Sequence, residues 1–227
     1  MHTFLASLRL AANALFPRHC LSCGRRGGDL CVACALALPR AEKAPSIAGY
    51  PAMALFEYRH PVVRELIAGI KYRSSRDAVR LVGRLLYEMA AEELAEQAAF
   101  GAFREAVIIP VPLSPRRARQ RGFNQSELIA HAFAAGEGVG SPSPILAVRT
   151  DILRKVRETP PQVSCASRTE RLANLAACFA VANPEAVYKK DIILIDDVLT
   201  TGATLTEAAK VLKKSGAKNV LCLVVGH

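Results

Sequence analysis

Residues 191 to 225 read DIILIDDVLTTGATLTEAAKVLKKSGAKNVLCLVV, and no other stretch restricts the fold as tightly. Four apolar residues, Ile192 to Ile195, run into paired aspartates and a Thr-Thr-Gly-Ala-Thr turn; a helix is expected over about 203 to 215 and a strand over 219 to 225. Two apolar strands joined by an amphipathic helix predict a parallel pair covered on both faces. Earlier segments extend the pattern. MALFEY (53 to 58), AVIIPVPL (106 to 113), a stretch near Pro144 to Val148 and CFAVA (178 to 182) read as further strands. Helical stripes cover 60 to 72 and 77 to 99, and Asn124 can cap a third helix that includes His131 to Ala135. The fold expected is α/β, a parallel sheet flanked by helices, whose ligands lie beyond the carboxyl ends of the strands.

The turn after Ile195 has chemistry of its own. Amides at the start of a helix have no intrahelical partner, and with the hydroxyls of Thr200, Thr201 and Thr204 around Gly202 and Ala203 they form a cup suited to phosphate. The chain has no Walker-type G-x4-G-K-[ST], so a phosphate monoester is the expected guest. Asp196 and Asp197, just ahead of the cup, can bind the vicinal hydroxyls of a sugar directly or through Mg2+ and its waters. Phosphate at one end and a diol at the other describe ribose 5-phosphate. The plainer alternative is that Asp197 caps the turn and Thr204 caps the helix.

Four of the seven cysteines cluster near the N-terminus as CLSCGRRGGDLCVAC, giving Cys20-x2-Cys23 and Cys31-x2-Cys34. Two such knuckles can place four thiolates around zinc, and Gly24, Gly27 and Gly28 supply the turns. A closed set of four thiolates makes that metal structural rather than catalytic. Two disulfides are the competing reading, which a reducing cytoplasm would disfavour; His19 offers an alternative ligand. Cys165, Cys178 and Cys222 read as core or loop residues. The expected organisation is a docking helix over 1–18, with apolar residues at helical spacing and no acid, then a four-cysteine module and linker over 19–48, then the α/β domain over 49–227.

Net charge is +10, and PRRARQRGFN (115 to 124) holds Arg116, Arg117, Arg119 and Arg121 with no acid. Concentrated arginine points to anionic ligands, against a solvated basic loop as the bland alternative. No apolar run approaches the length of a membrane span, and nothing convincing marks the chain for secretion, so a cytoplasmic protein is expected.

LIDDVLTTGAT resembles the phosphoribosyl pyrophosphate (PRPP) motif of type I phosphoribosyltransferases. By that resemblance Asp196 and Asp197 face the ribose hydroxyls and residues 200 to 204 hold the 5-phosphate. The cysteine knuckles, IPVPLSPRRARQRGFNQSELIA (109 to 130) and ETPPQVSCASRTERLANLAACFAV (158 to 181) together resemble the ComF family of competence-associated phosphoribosyltransferase-like proteins. The resemblance runs from about Cys20 to the C-terminus and departs from expectation at Cys165. It implies Mg2+ with PRPP, structural Zn2+, and involvement in DNA uptake through protein partners.

In the mechanism so implied, Arg116, Arg117, Arg119 and Arg121 hold the pyrophosphate leaving group with help from Lys71, while Thr159, Gln162, Arg168, Arg171 and Asn174 lie on a loop that could close over the site. Three functions compete. One is transfer of phosphoribose to an acceptor, and another is a non-catalytic module that senses PRPP or a nucleotide and acts through a partner. The third is a single-stranded DNA contact made by knuckles and arginines, which the scarcity of aromatics beyond Phe16 and Phe123 disfavours.

Overall fold

The structure is a computed structural model that describes residues 18–41, 47–136, 147–157 and 178–227. The expected docking helix, the start of the strand near Pro144 and the loop carrying Thr159, Gln162, Cys165, Arg168, Arg171 and Asn174 lie outside the described residues.

Five parallel strands form the main sheet: β1 (Ala52–Phe56), β2 (Val107–Pro110), β3 (Ala147–Val148), β6 (Asp191–Val198) and β7 (Asn219–Gly226). Their order across the sheet is β1-β7-β6-β2-β3, every neighbouring pair parallel. Such strands must be apolar on both sides, and Ile192, Ile193, Leu194 and Ile195 are fully buried. Helices α2 (Pro61–Arg73), α3 (Arg76–Ala99) and α5 (Gln125–Ala135) cover one face against Ile193, Ile195, Leu221, Leu223 and Val225. Helix α6 (Ala203–Lys214) covers the other against Ile192, Leu194, Val220, Cys222 and Val224. On that second face a small antiparallel sheet, β4 (Leu153–Lys155) with β5 (Phe179–Val181), contributes Leu153 and Phe179.

The α/β reading therefore holds, with corrections. CFAVA forms a strand, but outside the parallel sheet, paired antiparallel with β4. The strand expected over 106 to 113 ends at Pro110, although the Val111 amide still donates to the Ile195 carbonyl at 2.9 Å. The arginine-rich stretch is not a loop. Ser114 accepts a hydrogen bond from the Arg117 amide, Pro115 occupies the first turn, and Gly122 closes the segment in the left-handed region, so Pro115–Arg121 is helix α4.

The four-cysteine segment continues into helix α1 (Val32–Ala37), and its buried residues Cys20, Leu30, Ala35 and Leu38 belong to the same cluster as Leu66, Ile70 and Val79. The stretch from Ala35 to Gly49, which reads as a linker, is tied down at both ends: Arg40 bridges to Phe56, and Ile47 is buried.

One close approach fixes the packing of α3 on α5. A Cβ added at Gly83 would lie 2.4 Å from the Ala132 Cβ and 2.6 Å from its carbonyl carbon, a distance only glycine permits. Gly83→Ala is expected to destabilise the fold by about 1–3 kcal/mol through overpacking, despite alanine's better helix propensity, as urea denaturation would show.

Candidate functional site

The sheet order reverses direction between β2 and β6: the chain leaves β2 toward β3 on one side and leaves β6 toward β7 on the other. A crevice opens at such a point beyond the carboxyl ends of the two strands. Segments 111–126 and 196–204 both emerge there.

Strand β6 runs to Val198, so Asp196 and Asp197 belong to the strand rather than to the turn after it. Different elements hold them. The Ser126 hydroxyl, from the first turn of α5, donates to Asp196 Oδ1 at 2.9 Å, and the Asp197 amide donates to the same oxygen at 2.9 Å. Lys71, from the last turn of α2, places Nζ 3.0 Å from Asp197 Oδ1. Asp197 Oδ2 is buried and has no partner among the described residues. Burial pushes the Asp196 carboxyl up to about 7, and the neighbouring Asp197 carboxylate adds to that; the Asp197 amide, the Ser126 hydroxyl and Lys71 pull the other way.

Past the aspartates the chain turns at Gly202, whose φ of +74° is the left-handed conformation. A side chain there would also meet Ile47 Cγ2 at 3.0 Å. Gly202 occupies the N-cap position of α6, with Thr204 in the first turn. Val198 to Leu205 line a small open cup that contains Thr200, Thr201, Gly202, Ala203 and Thr204. Thr201 Oγ1 is buried with no partner among the described residues. The loop is pinned to β7, because the Leu199 amide donates to the Gly226 carbonyl at 2.8 Å and His227 Nδ1 lies 3.0 Å from the Leu199 carbonyl.

The arginines divide. Arg116, Arg117 and Arg119 are exposed on α4, whereas Arg121 is half-buried, bonded to the Gln125 side chain and stacked 5.2 Å from the Tyr72 ring centre. Arg121 thus ties α4 to the end of α2, next to Lys71. The sequence reading places Lys71 with the leaving group, while in the structure its ammonium is paired with Asp197. Ser126, Gln125 and Tyr72 are additions that the reading missed. All three lie within or beside quoted motifs, but only the tertiary arrangement shows their contacts.

The four cysteines meet at a second site. Their Sγ atoms lie within 4.8 Å of one another, and Cys31 is 3.8 Å from both Cys20 and Cys23. Tetrahedral ligands about 2.3 Å from a zinc ion stand about 3.8 Å apart, whereas a disulfide needs about 2.05 Å. The spacing fits a metal such as zinc. Burial works against ionising Cys20, but the amides of Cys23, Cys31 and Ser22 bring its thiol down to about 6; Ser22 favours the Cys34 anion, but Cys31 and Cys23 outweigh it and hold that thiol up at about 12. Four thiolates so close need a cation to coexist.

Comparison with known proteins agrees with this geometry. The phosphoribosyl transferase domain matches residues 138–226, which include β6, the cup, α6 and β7. The fold is therefore of the phosphoribosyltransferase type. Competence protein F of Haemophilus influenzae is 34% identical over 115 residues, 50% of this chain and 46% of that protein. DNA utilization protein YhgH of Salmonella typhi is 28% identical over 204 residues, 88% of this chain and 80% of that one. Competence protein ComFC of Streptococcus pneumoniae is 30% identical over 167 residues, 74% and 64% of the two chains. These matches support kinship with the ComF family, and the chain spans less than half the length of the Haemophilus relative. Among solved structures, the protein TT1426 of Thermus thermophilus matches at 20% identity over 64% of this chain and 72% of that one, with a TM-score of 0.31, too low to carry an argument. No helix among the described residues is long and apolar enough to cross a membrane.

The raised Asp196 carboxyl has a consequence for stability. Between the ordinary carboxylate range and about pH 7 the folded chain keeps a proton that the unfolded chain has released, so this group makes stability fall as pH rises through that window. Asp196→Asn keeps an acceptor for Ser126 and removes the titration. It should flatten the decline and stabilise the ligand-free protein at pH 7.5 by on the order of 2 kcal/mol, measured by urea denaturation across pH; the partly open site keeps the effect below the full shift.

Proposed function

We propose that this protein binds PRPP with Mg2+ at the crevice between β2 and β6 and transfers its phosphoribosyl group to an acceptor. The observation that carries the reading is that, of the three buried side-chain polar atoms without partners among the described residues, His60 Nδ1, Asp197 Oδ2 and Thr201 Oγ1, two belong to this motif. Leaving such an atom unpaired costs about 1–3 kcal/mol, so a ligand that offers a donor to Asp197 Oδ2 and an acceptor to the Thr201 hydroxyl recovers that cost. One atom stands at the sugar-diol end of the motif and the other in the phosphate cup.

In this reading the amides at the start of α6 and the threonines of the cup hold the 5-phosphate, and Asp196 and Asp197 orient the ribose hydroxyls. Arg116 and Arg117 on α4 face the pyrophosphate, with Arg121 anchoring that helix. The C1–O bond breaks, its electron pair leaves on pyrophosphate, the acceptor bonds to C1, and the acceptor's proton passes to solvent. Bound Mg2+ would supply neutralising charge for the leaving group. Lys71 balances the charge of Asp197 at Oδ1 while Oδ2 stays available to a hydroxyl donor. Names of relatives, competence protein and DNA utilization protein, support a setting in DNA uptake or use, through protein partners. The thiolate cluster supports a structural zinc and a reducing, cytoplasmic location.

Titration calorimetry with PRPP is expected to show binding that requires Mg2+, abolished by Asp197→Asn and weakened about tenfold by Thr201→Val, which keeps shape and removes one hydroxyl partner. Absence of binding to the wild type would end this reading. For the metal module, the purified protein should carry a single zinc ion per chain, and Cys31→Ser should lose it; unbound thiols in the wild type by thiol titration would refute the assignment.

A further inference from the structure

Among the described residues, the four-cysteine segment meets the corner between α2 and α3 at a polar junction. Ser75 closes the short corner between α2 and α3 and caps α3, its Oγ accepting from the Ala78 amide at 3.4 Å. The same hydroxyl donates to Asp29 Oδ2 and accepts from Arg18 Nη1 at 2.8 Å, and Arg18 Nη1 also lies 3.1 Å from Asp29 Oδ2. A hydroxyl has one donor and two acceptor positions, and Ser75, only 1% exposed, uses them in full. Asp29 stands between the two cysteine pairs, and its carbonyl accepts from the Leu21 amide at 2.9 Å. Its place is therefore set by the fold of the metal module.

The corner leads to the ribose site within one helical turn. Ser74 is held at φ +48°, ψ 42°, and its amide donates to the Gly69 carbonyl; the Ser75 amide reaches the same carbonyl at 3.4 Å. Lys71 precedes Ser75 by four residues, on the last turn of α2, where a shift of the corner moves the root of its side chain. Cys20 and Leu30 of the module also pack in the same buried cluster as Leu66, Ile70 and Ala78, so apolar contact backs the polar junction.

We infer that Arg18 and Asp29 are positioning residues: they lock the metal module to the α2–α3 corner and through it hold Lys71 on Asp197. The metal site is thereby coupled to the crevice rather than being a separate stabilising appendage. The affinity arm of the test rests on the PRPP reading above; the labelling arm does not.

In Asp29→Asn the four thiolates are untouched, so zinc content should equal that of the wild type. Acetylation of Lys71 by an amine-reactive ester, read by mass spectrometry, should rise several-fold, while that of Lys213, at the far end of α6, stays unchanged. Asp197→Asn, which removes the partner directly, sets the upper limit of that rise. PRPP affinity should fall about five- to tenfold, the usual size of a coupling between sites. Unchanged Lys71 reactivity in a variant that keeps its zinc would overturn the inference. Should Asp29→Asn lose the metal or fail to fold, Arg18→Gln is read in its place, since Arg18 is 43% exposed at its side chain and can be changed without opening the core. A labelling shift in a protein that does not bind PRPP would leave this coupling standing and remove only the proposed ligand.

Discussion

Everything at the crevice follows from placing two carboxylates at the end of a strand whose preceding four residues are fully buried. A carboxylate taken from water without partners costs far more than one apolar contact returns. The fold answers with different groups for each. Asp196 takes a hydroxyl from α5 and a backbone amide, and Asp197 takes an ammonium from α2. These contacts require α2 and α5 to end and begin at the same edge of the sheet. The packing of α3 on α5, sealed by Gly83 against Ala132, holds α5 in that place and so serves the site as well as the core.

The parts of this arrangement that sequence reveals are those written in local patterns. Alternating apolar strands and amphipathic helices made the α/β class legible, and the motif from Leu194 to Thr204 made the cup legible, because strand, turn and helix amides are consecutive in the chain. The cysteine pairs were legible for the same reason: two short spacings fix most of a tetrahedral site. What was not legible depends on distance through space. Lys71 and Asp197 are 126 positions apart, Ser126 and Asp196 are 70 apart, and Asp29 and Ser75 are 46 apart. No periodicity reports such pairs. The helix over the arginine stretch is written locally, in Ser114 and Pro115 that start it and Gly122 that stops it, although the charge of the stretch reads as a loop.

Making the arginine segment a helix changes what it can do. In a loop, each guanidinium would lose much conformational freedom on meeting an anion. On α4 the backbone is already ordered, and the segment is fastened at its end by Arg121, which bonds Gln125 and stacks on Tyr72. Arg121 spends its charge on structure, while Arg116, Arg117 and Arg119 stand exposed at the carboxyl end of the sheet. The four arginines of one stretch thus stand in two environments, three exposed on the helix and one that fastens it.

Asp197 shows the same division within a single side chain. Oδ1 faces Lys71 at 3.0 Å, which balances its charge despite burial, and Oδ2 has no partner among the described residues. Were both oxygens paired internally, a sugar hydroxyl would have to displace an existing bond and gain little. Were neither paired, the buried carboxylate would stand without a compensating charge. Holding one oxygen by a cation and leaving the other open is the arrangement that keeps the acceptor strong and its desolvation already complete. It also ties Asp197 to where Lys71 is held, and four residues past that lysine the chain turns at Ser75, which Arg18 and Asp29 of the four-cysteine segment contact.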